Sequence, residues 1–186
     1  YRVQDQFLRR LAFFVEKKGY TGRLITDEEL GNQHGFNAHD YRPESLAAFF
    51  SLADEQNFPL NEKELLLRHI LLEQGVLKIE GSKIVSGEGA LLSISQESNL
   101  SLRYTLIGHE GYHGIYFTHE DFRKFNAQVF NNADPSTLAF LLGYFTITPT
   151  LNYDNTDEYL IKNEFMAYLL QQSVQQTPQY FINIAN

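Results

Sequence analysis

One segment of the chain has the residue types and the spacing for metal chemistry: the pentapeptide His109-Glu110-Gly111-Tyr112-His113. On an α-helix, residues four apart lie on the same face, so the two imidazoles can bind one cation. Glu110 then lies beside them, close enough to reach a water molecule on that cation. Two neutral nitrogen ligands and a neighbouring carboxylate are the groups that zinc-promoted hydrolysis needs. The motif predicts a zinc-dependent hydrolase in which Glu110 is the general base.

The residues around the motif favour a helix. Apolar residues recur at 102, 106, 107, 115 and 117, a spacing that is typical of an amphipathic helix with one face in the core. Ser98 or Asn99 is expected to cap its first turn. The predicted strand at 90–96 comes immediately before it.

A catalytic zinc usually takes three protein ligands and keeps one position for water, and two residues are candidates for the third ligand. Glu164 lies in a helical pattern over 157–173, and the small Ala167 would allow this helix to pack closely on the first. His119 follows His113 by six residues. The spacing leaves both candidates open.

The chain resembles the gluzincin metallopeptidases, the thermolysin-like clan of zincins, in two places. H-E-x-x-H at 109–113 is followed at a distance by N-E-x-x-A-Y at 163–168, and the run Glu164-Phe-Met-Ala167 also resembles a helix of the anthrax lethal factor type. The resemblance covers roughly residues 98–175 and implies a zincin fold, peptide-bond hydrolysis, and Zn²⁺ bound by His109, His113 and Glu164.

The metzincins, in which a third histidine binds the metal, are similar to H-E-x-x-H-x-x-Y-x-x-H at 109–119, but they carry glycine where this chain has Tyr116. A bulky residue disfavours the positive φ of the turn that would bring His119 back to the metal. Thr118 to Asp121 is instead typical of a capping box that opens the next helix.

The resemblance also implies a donor for the oxyanion that develops during hydrolysis. In gluzincins this group is commonly a tyrosine or a histidine, and Tyr153 and Tyr159 precede the Glu164 helix as candidates. Metal-bound histidines usually donate their second N–H to a carboxylate or a carbonyl, and Asp157 and Asn163 are possible acceptors. Each of these two residues is equally compatible with a helix cap or a surface position.

The composition limits the partners. The net charge of −8 argues against nucleic acid, and the sequence has no apolar run long enough to span a membrane. The partner that the resemblance implies is a peptide or protein substrate. The first residue is Tyr and not Met, which suggests a processed or excised chain and favours a secreted or periplasmic location.

The sequence predicts an α+β fold that is mainly α, with a zincin-like core and a small antiparallel sheet. We expect an N-terminal helical region at 1–75 and the catalytic core at 76–186, together forming one compact unit. Residues 76–80 and 83–85 predict a hairpin around Gly81-Ser82. The strand Leu91–Ser95 is a candidate edge strand for binding an extended substrate, and the segment His34–Tyr41 is interpreted as a loop.

Two other functions remain open. The chain could bind zinc without turnover, as a catalytically inactive zincin-like domain that acts in binding or scaffolding. It could also be a helical interaction domain without metal. Replacement of Glu110 separates the first from a hydrolase, and elemental analysis tests the second.

Overall fold

The computed structural model describes residues 3–17, 19–148, 151, 153 and 156–185. Contacts divide the chain into two compact units, Tyr1–Arg103 and Tyr104–Asn186. The sequence prediction divided the chain after residue 75 and grouped 76–103 with the catalytic part. In the structure, the strands of that segment belong to the first unit.

The first unit contains four helices and four short strands within the described residues. The helices are α1 (Val3–Val15), α2 (Asp27–Leu30), α3 (Pro43–Glu55) and α4 (Glu62–Glu73), and the strands are β1 (Ala38–Tyr41), β2 (Leu77–Glu80), β3 (Lys83–Ser86) and β4 (Leu91–Ile94). Apolar faces of α1, α3 and α4 pack with the strands into one core that includes Leu11, Phe50 and Leu77.

Local residue chemistry explains where these helices begin. Pro43 is at the first position of α3, where its missing N–H costs nothing. Asn61 caps α4 and forms a capping box with Glu64. The buried Glu64 carboxylate also binds the Arg10 guanidinium of α1, with Arg10 Nε donating over 2.8 Å. This ion pair joins α1 to α4 inside the first unit.

The strands form two antiparallel pairs. The β2–β3 hairpin pairs Glu80 with Lys83 across a two-residue turn in which Gly81 has φ of 63°, so the predicted hairpin is confirmed. β1 pairs with β4 from Ala38↔Ile94 to Tyr41↔Leu91. The loop predicted for residues 34–41 is therefore wrong over its last four residues, which form β1. Among the described residues β4 has no second strand neighbour, and its role in substrate binding stays a prediction.

The second unit is helical in its described part. It holds most of α5 (Leu100–Thr118), followed by α6 (Glu120–Asn131), α7 (Pro135–Ile147), α8 (Glu158–Leu170) and α9 (Thr177–Ala185). The Asn99 side chain accepts a hydrogen bond from the Leu102 amide at the start of α5, as expected for a cap. Phe145 and Phe165 lie in the main apolar cluster of this unit.

The fold class is confirmed as α+β and mainly α. A zincin-like core stays a prediction. Over the described ranges, no helix has the length and apolar character that a membrane crossing requires.

Candidate metal centre

The two histidines of the motif lie one turn apart on α5 and face the same way. Their ring centroids are 4.7 Å apart, and the rings are nearly perpendicular, at 82°. The His113 side chain is 1% exposed and the His109 side chain is 12% exposed. The helix therefore presents two imidazoles to one largely buried position, as their spacing predicts.

Glu164 on α8 lies opposite both histidines. Its Oε2 is 3.7 Å from His109 Nε2, and its Oε1 is 3.8 Å from His113 Nε2. The ligand atoms of the three residues lie within 4.8 Å of one another, so the group can hold a metal ion. The structure thus brings together the predicted metal-binding residues His109, His113 and Glu164.

The distances fit a tetrahedral metal site. Ligand atoms at ~2.1 Å from a tetrahedral ion are separated from each other by about 3.4 Å. The observed separations of 3.7 and 3.8 Å exceed this value by a few tenths of an ångström. Each histidine faces a different oxygen of Glu164, so a rotation of the carboxylate would be needed to bring one oxygen near both nitrogens.

The protonation state of His109 also suits a metal ligand. Burial, with a smaller contribution from the neighbouring His113, lowers the pKa of His109 to about 3, although a hydrogen bond with Gln171 acts in the opposite direction. The imidazole is therefore neutral at physiological pH. A metal-binding imidazole must be neutral, because the lone pair that a proton would occupy is the one that binds the ion.

Tyr168 of α8 and the C-cap residue Gln171 contact His109. The Nδ1 atom of His109 is 3.1 Å from Gln171 Oε1. The Tyr168 ring meets the His109 ring in a T-shaped contact with centroids 5.0 Å apart. Burial and the nearby Glu164 carboxylate raise the pKa of Tyr168, so its hydroxyl stays protonated.

Glu110 lies next to the histidines on the inner face of α5. The residue is 5% exposed, and a carboxylate oxygen lies within 4.8 Å of a ring nitrogen of His113. A carboxylate in this position can accept a proton from a water molecule beside the metal-binding group. Its role as general base stays a prediction.

Two small residues lie at the contact between α5 and the C-terminal part of α8. Ala167 is fully buried and belongs to a cluster with Tyr116 and Met166, in line with the expected use of a small side chain there. Gly108 of α5 lies against the end of α8, where an added Cβ would be 3.1 Å from the Gln171 carbonyl oxygen.

The two candidate oxyanion donors have aromatic neighbours. Tyr153 packs in the main cluster of the second unit, with its ring centroid 5.7 Å from that of Phe145. Tyr159 is 37% exposed and meets Tyr116 in a T-shaped contact. Their catalytic roles stay predictions.

The two residues proposed to support the histidines differ in environment. Asp157 is the N-cap of α8 and accepts a hydrogen bond from the Leu160 amide over 3.0 Å. Asn163 is 4% exposed, and its buried Oδ1 has no hydrogen-bond partner among the described residues. Asn163 therefore offers a buried acceptor one residue before Glu164, whereas Asp157 caps the helix.

His119 lies outside the metal-binding group. It is exposed, in extended conformation, at the N-cap of α6 and one residue beyond the end of α5. The predicted capping box does not form, because Thr118 donates its hydroxyl hydrogen to the Gly114 carbonyl. Arg123 of α6 donates to the last carbonyls of α5 at Tyr116 and Phe117, which fixes the connection.

Sequence reasoning missed Gln171 and Gly108. Gln171 follows Glu164 by seven residues and Tyr168 by three, which places all three on one helical face. That periodicity could have identified Gln171. Gly108 carries a weaker signal: glycine inside a helix costs about 1 kcal/mol relative to alanine, so its presence indicates close packing.

Comparisons with known proteins identify no relative. No family model matches the chain, and neither a curated protein nor a solved structure matches it. The functional argument therefore depends on the residues of the site.

Proposed function

We propose that this protein is a zinc-dependent peptidase of gluzincin type. The observation that carries the proposal is the convergence of His109 Nε2, His113 Nε2 and the Glu164 carboxylate within 4.8 Å of one another. Glu164 follows His113 by 51 positions. A motif that is formed by chance has no reason to meet a buried carboxylate from such a distant helix.

The donor set favours zinc. Two imidazoles and one carboxylate form a ligand set typical of catalytic zinc in peptidases, with one position left for water. Zinc in such a site lowers the pKa of a water molecule toward ~7 and polarises the carbonyl of the substrate. The proton transfers are carried out by side chains of the protein.

Glu110 moves the proton in the proposed reaction. Its carboxylate accepts a proton from the attacking water and then delivers it to the leaving amine, acting first as a base and then as an acid. The proximity of Glu110 to His113 supports this role. Its burial supports it as well, since a carboxylate shielded from bulk water holds the transferred proton for the leaving group.

A peptide bond is the substrate class that we propose. An amine leaves only after it gains a proton, and a carboxylate beside the metal supplies one. The pairing of H-E-x-x-H with N-E-x-x-A-Y, typical of peptidases of the thermolysin-like clan, points the same way.

The test combines metal analysis with cleavage. Purified protein is analysed for bound metals and is incubated with labelled casein and with a degenerate library of quenched fluorescent peptides. We expect about one zinc per chain and measurable cleavage. Glu110→Gln should keep the zinc and lose cleavage by at least about 100-fold, since general acid–base catalysis contributes ~10²–10⁴-fold.

Glu120→Gln is the matched control. Glu120 is an exposed glutamate on α6 that pairs with Lys124, and its replacement should leave both zinc and cleavage unchanged. Stoichiometric zinc without any cleavage by the wild-type protein would favour a non-catalytic zinc-binding domain. A chain that takes up no zinc would overturn the metal centre itself.

A further inference from the structure

We propose that Gln171 is a positioning residue for the metal ligand His109, and that it selects the tautomer in which His109 can bind a metal. This inference rests on the metal centre of the proposed function and does not depend on peptide hydrolysis. Its basis is the contact of 3.1 Å between Gln171 Oε1 and His109 Nδ1.

The hydrogen-bond chemistry leads from this contact to the tautomer. An amide oxygen has no hydrogen to donate, so Nδ1 of His109 must donate to it. A neutral imidazole carries one N–H, and a histidine that binds a metal has to be neutral. Nε2 therefore keeps its lone pair, and Nε2 is the atom that lies 3.7 Å from the Glu164 carboxylate.

The backbone of Gln171 is held in place on both sides. Gln171 is the C-cap of α8, and its N–H donates to the Ala167 carbonyl. Gly108 of α5 allows the Gln171 backbone to approach closely, with the carbonyl oxygen 3.1 Å from the position of an added Cβ. The Gln171 backbone thus lies against Gly108, the residue immediately before His109, and its side-chain amide contacts His109 itself.

Tyr168 restrains the other side of the imidazole. Its ring is at 83° to the His109 ring with centroids 5.0 Å apart, and Tyr144 of α7 packs on it with centroids 5.6 Å apart. A rotation of the imidazole away from Gln171 would meet this aromatic pair. The amide therefore selects the proton position, and the tyrosine limits the ring orientation.

Nitrogen NMR on the full-length chain tests the tautomer directly. In protein labelled with ¹⁵N-histidine and freed of metal, His109 should carry its proton on Nδ1. Gln171→Leu should shift the population toward the Nε2–H form. Gln172→Leu, at the neighbouring glutamine, is the matched control and should leave the His109 signals in place.

Metal affinity gives a second readout. Competition of the protein with a chromophoric chelator for Zn²⁺ should show a 10- to 100-fold weaker affinity for Gln171→Leu, the range typical for loss of such a partner. Gln171→Glu keeps an acceptor and should retain the wild-type affinity or exceed it. Co²⁺ bound to Gln171→Leu should show an altered visible absorption spectrum.

The outcomes separate this inference from the peptidase proposal. A wild-type His109 with its proton on Nε2 would overturn the inference, even if the protein cleaves peptides. Equal zinc affinities of Gln171→Leu and Gln172→Leu would also overturn it. A protein that has the expected tautomer and affinities but cleaves nothing would refute only the peptidase. If Gln171→Leu fails to fold, the NMR measurement of the His109 tautomer in the wild-type protein tests the inference by itself.

Discussion

Asp157 caps the helix that carries the proposed metal ligand Glu164, and its carboxylate accepts a hydrogen bond from the Leu160 amide at the first turn. Its side chain is exposed. A carboxylate at an N-cap satisfies a backbone donor and interacts favourably with the helix dipole. The role of Asp157 is thus local, although the sequence alone left open a contact with a histidine.

Replacing Asp157 tests this assignment. Asp157→Ala should lower the free energy of unfolding by about 1 kcal/mol, the usual loss for a cap, with no change in zinc affinity. Asp157→Asn should restore stability, because asparagine caps equally well. Chemical denaturation and chelator competition measure the two quantities. A zinc affinity that falls with the cap would show that Asp157 supports the metal after all.

Two tyrosines of the second unit give an alkaline pH dependence. Burial raises the pKa of Tyr116 and of Tyr180 to about 12 in each case. Between the ordinary pKa of ~10 and about 12, the unfolded chain loses protons that the folded chain keeps. Stability from these groups is therefore complete below pH ~10 and is lost as the pH rises toward 12.

This dependence is visible in tyrosine absorption and in unfolding. Near-ultraviolet titration should show tyrosines that ionise late, and the stability of the wild type should fall over this pH range. Tyr116→Phe and Tyr180→Phe should each reduce the slope. Tyr104→Phe, at a residue that is 68% exposed, should not. Equal slopes in all four proteins would contradict the assignment.

The sequence predicted the candidate metal ligands of the site, but it did not predict the residues that position them. The spacing of His109, Glu110 and His113 predicts a metal site, because few sequence patterns place these residue types together on a helix. Glu164 could be predicted only from the second motif, N-E-x-x-A-Y at 163–168. Gln171 has an ordinary residue type, and only the packing of α8 on α5 shows that its amide meets His109.

At the scale of elements, the approach of α5 to α8 decides whether the ligands meet. Two glycines of α5 separate the effect of packing from that of helix propensity. A Cβ at Gly108 would lie 3.1 Å from a backbone oxygen of α8, and a Cβ at Gly111 would meet nothing within 4 Å. The two positions share one helix and differ in their surroundings.

Alanine at these glycines should act in opposite ways. Gly111→Ala should raise the free energy of unfolding by up to about 1 kcal/mol through helix propensity. Gly108→Ala should gain less or lose stability, and it should weaken zinc binding, because the end of α8 has to move away. Thermal unfolding and zinc competition measure both effects. Equal stabilisation by the two alanines would mean that the contact at Gly108 is not tight.

Among the elements, the helices and the hairpin were predicted from local sequence patterns, whereas the pairing of distant strands was not. The hairpin has its turn residues beside it, and α8 has a cap and an apolar face. β1 was missed because Ala-His-Asp-Tyr lacks strand alternation, and its partner β4 lies some fifty residues away. Only the tertiary structure makes those four residues a strand.

At the scale of the whole molecule, the chain has two compact units, and the proposed metal ligands His109, His113 and Glu164 lie in the second. A ligand that binds only the folded state stabilises it by mass action, with about 2.7 kcal/mol gained at a hundred times the dissociation constant. This stabilisation acts most directly on the helices that carry the metal-binding side chains. Zinc is therefore expected to stabilise α5 and α8 before any element of the first unit.

Removal of metal should reverse this effect. Chelation should lower the melting temperature and should increase amide hydrogen exchange in α5 and α8, with smaller changes in α1, α3 and α4. His113→Ala should show the chelated pattern with or without zinc. Hydrogen exchange followed by mass spectrometry measures each helix. Equal loss of protection across both units would show that they unfold together.

Because Glu164 follows His113 by 51 positions, the proposed metal ligands are also synthesised in a fixed order. The histidine pair leaves the ribosome first, and a pair of imidazoles alone holds an ion only weakly. Capture of the ion has to wait until α8 has been made and the intervening helices have folded back. In the proposed metalloprotein, stable metal binding would therefore follow the synthesis and packing of α8, and a nascent chain that stalls before α8 would offer only the weaker pair of histidine ligands.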